Sequence, residues 1–212
     1  MERYYMTVVI AREVSVPSKP VDSPDSRQKL VVGAADLIRR RGLGATSVRD
    51  LAKHAGAPLG STYHYFPGGK TQLATEAVTY AGDLTASILE RELGNGPVNG
   101  LRAFLHMWRK IVVDTDFHAG CPVLAVSIED SPDAEGAPRE AAAAAFVKWA
   151  ELLAMSLCAH GAERPDAERT ATLIIAAVEG SVVMCRAQRS TQPLDRITDQ
   201  LELLVQIALN GR

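Results

Sequence analysis

From Ser23 to the end of the 212-residue chain, apolar residues recur every three or four positions, and no stretch alternates at period two long enough to build a sheet. Helices patterned this way bury their apolar stripes against one another, so the expected fold class is all-α. Breaks fall at Arg41-Gly42, Gly56, Pro67-Gly68-Gly69, Gly94-Asn95-Gly96-Pro97, Gly120-Cys121-Pro122, Ser131-Pro132-Asp133, Gly161 to Pro165 and Ser190 to Pro193. They leave about nine helices, three of them short and crowded between Pro24 and Tyr65. The longer ones are expected near 71–93, 98–115, 121–130, 136–160, 166–189 and 194–210. Residues 1–24, with Pro17, Pro20 and Pro24 among Ser and Asp, read as a mobile tail. Residues 25–70 read as one small domain and 71–212 as a larger helical body.

Charge separates the same regions. Residues 25–80 hold eight Lys/Arg against four acids, whereas 81–212 hold twelve against eighteen. A basic head on an acidic body suits a polyanion partner. The three cysteines, Cys121, Cys158 and Cys185, form neither a disulfide framework nor a zinc pattern, and read as reduced thiols of a cytoplasmic protein. No uninterrupted apolar run reaches the ~20 residues of a membrane span, and residues 1–10 lack the pattern of a signal peptide. No Gly-rich phosphate loop, no paired metal ligands and no nucleophile with a base are visible, so neither an enzyme nor a cofactor or metal site is expected. A helical scaffold for protein partners is the other reading, which the basic head disfavours.

The three short helices suit a helix-turn-helix. Ser47-Val48-Arg49-Asp50 places an acid three residues after a serine cap and opens the second helix. Its amino end must cross a phosphate backbone; Thr46 and Ser47 sit there, with Arg49 one turn in. Gly56 permits the tight turn. A third helix entering a major groove ~12 Å wide needs small residues at its start. Ala57-Pro58-Leu59-Gly60-Ser61-Thr62 supplies them, Tyr63 and His64 follow as polar-tipped rings, and Lys70 opens the next helix. Tyr65 and Phe66 read as core.

The run Ala45 to Lys70, with its cap, turn glycine, Tyr63-His64-Tyr65-Phe66 and lysine in register, closely resembles the DNA-binding domain of the TetR family, across residues 26–80. Further on, Gly120-Cys121-Pro122-Val123, Glu179-Gly180, Arg186, Arg189-Ser190 and Pro193-Leu194 resemble the subgroup related to the LmrA and YxaF repressors. The resemblance implies an all-helical homodimer that binds a palindromic operator in double-stranded DNA and is released by a small-molecule effector. It implies phosphate contacts by Thr46, Ser47, Tyr63, His64 and Lys70, with Leu59, Gly60 and Thr62 facing base edges. Many members carry serine where this chain has Pro58 and a basic residue where it has Leu59. Leucine can touch a thymine methyl but makes no bidentate guanine contact.

An effector pocket should be apolar with few polar anchors. The bulky candidates are Phe104, Met107, Trp108, Phe117, Leu124, Phe146, Trp149 and Met155, with Cys121 and the isolated acid Glu179 as polar groups. Each bulky residue taken singly reads first as plain core, and Glu179 fits a ligand anchor and a dimer seam equally. Two apolar stripes near the carboxyl end, Ile174, Val178, Val182 and Cys185, and Ile197, Leu201, Leu204 and Val205, are the expected dimer interface.

Overall fold

The computed structural model describes residues 24–210, so the segment read as a tail lies, Pro24 apart, outside the described residues. The described residues form nine helices and no strand: α1 Pro24–Arg41, α2 Val48–His54, α3 Leu59–Tyr65, α4 Gly69–Leu93, α5 Pro97–Asp114, α6 Pro122–Ser127, α7 Ala137–Ala159, α8 Arg164–Gln188 and α9 Gln192–Asn210. The all-α expectation holds, and the glycine and proline breaks fall between helices as the sequence indicates. The chain divides into two compact units that do not follow a boundary at residue 70. One comprises the described residues up to Ala81 together with Pro122–Ala142; the other comprises Gly82–Cys121 and the chain from Ala143 onward.

In the first unit, α1 supplies Leu30, Ala34, Leu37 and Ile38 to a core closed by Leu43, Leu51, Phe66, Leu73 and Ala77, all essentially without solvent exposure. Each such large side chain contributes about 1.5–3 kcal/mol of burial. Gly33 lets α1 pass close to the end of α2: a Cβ there would lie 2.7 Å from that of Ala55. A polar clasp holds the same pair of helices. Asp36 accepts from Arg39 Nε at 2.7 Å and Arg40 Nε at 2.9 Å, and pairs with His54 Nε2 of α2 at 2.7 Å. Burial pushes the Asp36 carboxyl up, but His54, Arg39 and Arg40 together hold it far below the usual carboxylate range. The basic end of α1 is therefore partly occupied in holding the head together. The guanidinium of Arg27 lies over the Phe66 ring at 4.8 Å and pairs with Glu76.

The second unit is built on α5, α8 and α9, which pack on one another. Its core includes Leu101, Phe104 and Trp108 of α5, Trp149, Leu153 and Leu157 of α7, and Leu194 and Leu201 of α9. Gly82 brings α4 against α7, since a Cβ there would lie 2.7 Å from that of Ala145. The same approach lets Trp149 Nε1 donate to the Gly82 carbonyl at 2.9 Å, which satisfies a buried ring donor.

Six of the eight residues expected at the dimer seam lie buried within their own subunit. Ile174, Val178, Val182 and Cys185 are 0–1% exposed, and Leu201 and Val205 of α9 are 3% and 1% exposed. Ile197 and Leu204 are half-buried. A side chain already covered by its own subunit cannot form the outer seam. The outward apolar stripe of α8 is instead Leu173, Val183 and Met184, beside exposed Ala176 and Gly180; α9 adds Leu203 and Ile207. By length and composition α7 and α8 are each apolar enough to cross a membrane. That goes beyond what uninterrupted runs indicate, yet α8 already buries one face in its own unit.

Candidate nucleic-acid interface and effector site

The elements of the head are set by short-range chemistry. Ser47 caps α2: its Oγ accepts from the Asp50 N–H at 3.1 Å, and the Asp50 carboxylate accepts from the Ser47 N–H at 2.9 Å. These bonds to Ser47 hold the exposed Asp50 carboxyl below its ordinary value. Gly56 has φ +65 with open space where a Cβ would point, so conformation rather than crowding requires glycine there. The turn ends at Pro58, whose extended backbone starts α3 without a side-chain cap. After the seven residues of α3, Phe66 leaves helical geometry, and Gly69, φ +65, starts α4.

Solvent access sorts the expected DNA-binding residues. Ser47, Arg49, Pro58, Gly60, Tyr63 and His64 are exposed, Tyr63 by 53%, and Leu59 is half-buried. Thr46 and Thr62 are turned inward. Thr46 is 3% exposed and donates to the Leu43 carbonyl at 2.8 Å; Thr62 is 2% exposed and its hydroxyl lies 3.4 Å from the Pro58 carbonyl. Hydroxyls spent on the backbone three or four residues earlier brace the turn and α3 rather than face a duplex. Lys70 is not open either: its Nζ donates to Asp133 at 2.7 Å, and its side chain is 14% exposed. Asp133 lies 63 residues away in sequence, and no local pattern signals that partner.

In the second unit four rings meet edge to face. Phe104 lies 6.2 Å from Trp108 and 6.5 Å from Trp149, and Trp149 lies 5.5 Å from Phe146. Met107 is buried nearby in sequence on α5, whereas Met155 on α7 is 47% exposed. Leu124 lies on α6, in the first unit. Phe117 is half-buried, with the Arg189 guanidinium 5.9 Å above its ring.

Between α5 and Cys121 the chain forms a strap along the second half of α8. Asp116 pairs with Arg189 at 2.8 Å, the His118 carbonyl faces Arg186 at 3.4 Å, and Gly120 lies so close to Arg186 that a Cβ would crowd its side chain. The strap turns at Asp116 and Phe117, both left-handed with φ +50 and +60. It ends with Cys121 beside Glu179, which is 4% exposed. Among the described residues no nitrogen or oxygen donor reaches either Glu179 oxygen, and the nearby thiol of Cys121 favours the carboxylate. Burial pushes the Glu179 carboxyl up to about 8, so at neutral pH it is mostly protonated and able to donate. Trp108 Nε1, 2% exposed, likewise lacks an acceptor. Among the described residues these two buried groups, on the mutually packed helices α8 and α5, lack a nitrogen or oxygen partner, which the apolar sequence of this unit leaves unexplained.

Two family models match the chain. Residues 30–77 match the model of bacterial regulatory proteins of the tetR family, and residues 97–200 match the LmrA/YxaF-like transcriptional regulator carboxy-terminal domain. The chain is 43% identical over 190 residues to the HTH-type transcriptional regulator Rv0196 of Mycobacterium tuberculosis, covering 88% of this chain and 97% of that protein. It is 32% identical over 178 residues to the HTH-type transcriptional regulator LmrA of Bacillus subtilis, covering 82% and 93%. The fold is similar to that of the regulatory protein TetR from Rhodobacter sphaeroides, with a TM-score of 0.74 at 22% identity, over 84% of this chain and 98% of that one. The chain therefore belongs to the TetR family of DNA-binding transcriptional regulators, with a carboxy-terminal domain of the LmrA/YxaF type.

Proposed function

We propose that the protein is a repressor that acts as a homodimer on a palindromic operator and is released by a small apolar or aromatic effector. The outward presentation of α3 carries this reading: Pro58 is exposed at its start and Gly60 in its first turn, and Tyr63 and His64 are exposed beyond them. Leu59 and Gly60 contact base edges, where Leu59 favours a thymine methyl. Ser47, Tyr63, His64 and Lys70 hold phosphates, as the resemblance implies, and exposed Arg49, one turn into α2, adds a cation beside them. The exposed apolar stripes of α8 and α9 bury against a second copy as a four-helix seam. Two heads in successive major grooves require half-sites about 34–36 Å apart.

The effector occupies the second unit, where the rings around Phe104 provide apolar surface and Glu179 and Trp108 provide two donors for its oxygen or nitrogen acceptors. Release is a population shift, so the effector binds one head arrangement more tightly than the other, and DNA weakens effector binding by the same factor. Selection of bound fragments from genomic DNA tests the reading: a recovered palindrome, lost on adding an effector, is the expected outcome. DNA affinity that is insensitive to salt, or unaltered by every compound the protein takes up, overturns it.

A further inference from the structure

Three ties fasten the segment after α6 to the head within the first unit. The Glu129 carboxylate accepts from the Leu43 N–H at 2.6 Å and the Gly44 N–H at 2.5 Å, which clamps the turn between α1 and α2. Gly42, φ +79, leaves the space this carboxylate fills; a side chain there would collide with it. Arg139 donates to the Glu129 carbonyl at 2.8 Å. Four residues beyond Glu129, Asp133 takes the Lys70 ammonium at 2.7 Å, and its own N–H lies 3.3 Å from the Ser131 hydroxyl.

We infer that Asp133 is an internal competitor of DNA phosphate for Lys70. The inference rests on the reading of Lys70 as a phosphate contact. A carboxylate oxygen at 2.7 Å offers an ammonium the same charge-assisted hydrogen bond as a phosphate oxygen. Because Glu129 anchors the segment to the α1–α2 turn, Asp133 stays beside Lys70 at high local concentration and recaptures it whenever the duplex leaves. Engaging DNA thus exchanges one partner for another rather than filling an open cation site. The exchange also has an ionic signature. Phosphate neutralised by Lys70 releases a counterion, but the vacated Asp133 takes up a cation, so this lysine contributes little to the salt dependence of wild-type binding.

The test titrates the full-length protein and its variants with a random-sequence duplex, followed by fluorescence anisotropy over a range of salt concentrations. Asp133, whose side chain is 44% exposed, tolerates Asp133→Asn, and Asp133→Ser serves as a second variant; circular-dichroism melting checks that both fold. Each should bind about two- to fivefold tighter at low salt, the range expected on releasing a part-exposed ion pair. Each should also steepen the plot of log K against log salt by ~0.9 per lysine engaged. On a Lys70→Gln background both effects should vanish. Unchanged affinity and slope, weaker binding, or the same gain without Lys70 overturns the competition while leaving the regulator reading intact. Failure of wild type and variants alike to bind any duplex overturns both.

Discussion

Replacing Glu179 by glutamine should uncouple stability from pH over a defined window. In the unfolded chain this carboxyl titrates near its ordinary value of 4.5, whereas burial pushes it up to about 8 in the fold. The folded state thus binds a proton that the unfolded state has lost between these two values. Stability is fully present below pH 4.5, falls as pH rises, and levels off above pH 8. The slope is about 1.4 kcal/mol per pH unit, so at pH 7 the acid costs the fold roughly 3 kcal/mol relative to acidic conditions. Glu179→Gln keeps the shape and removes the titration. Melting followed by circular dichroism should show a small difference at pH 5 and a variant more stable by roughly 6–12 °C at pH 7, at about 2–4 °C per kcal/mol for a chain of this size. Identical pH slopes for the two proteins would refute the argument, because they would mean that water or a donor already solvates the carboxylate.

Other outcomes follow from single contacts. Gly33→Val should destabilise the head by about 1–3 kcal/mol in urea titration, since its Cβ position is occupied by Ala55. Ser47→Ala removes the acceptor of the capping box and should cost about 1 kcal/mol by the same measurement. Tyr63→Ala should leave the melting temperature within about 2 °C, as expected of an exposed position, while weakening duplex binding in an anisotropy titration; retained affinity would remove Tyr63 from the interface. Met184→Asp together with Leu203→Asp should shift the protein to monomer in analytical ultracentrifugation without unfolding it, whereas a variant that stays dimeric would place the seam elsewhere.

The head was readable in detail because its determinants are local. A serine with an acid three residues on, a glycine needing positive φ, and a proline before a short helix each act within one turn, so the sequence alone placed α2 and α3 to within a residue or two. Thr46 and Thr62 show where that logic stops: a hydroxyl at a helix start can face out or bond back, and only packing decides. The body was readable as helices but not as surfaces. On α8 the adjacent Leu173 and Ile174 are equally apolar, yet one is 47% exposed and the other 1%. Periodicity announces a stripe without saying who covers it. Asp133 and Glu129 were invisible for a different reason: each reaches a partner more than sixty residues away, and acids in a polar loop carry no signal of which distant group they meet.

The chain has only two tryptophans, Trp108 and Trp149, and both are buried around Phe104 in the second unit. Intrinsic tryptophan emission therefore carries no reporter on the helices proposed to contact DNA, and each indole is a resident probe of the proposed effector site. A ligand stacking there would quench or shift this light without any attached dye, so compound libraries can be screened on the unmodified protein, and a compound that changes DNA affinity without altering the spectrum must act from another part of the molecule.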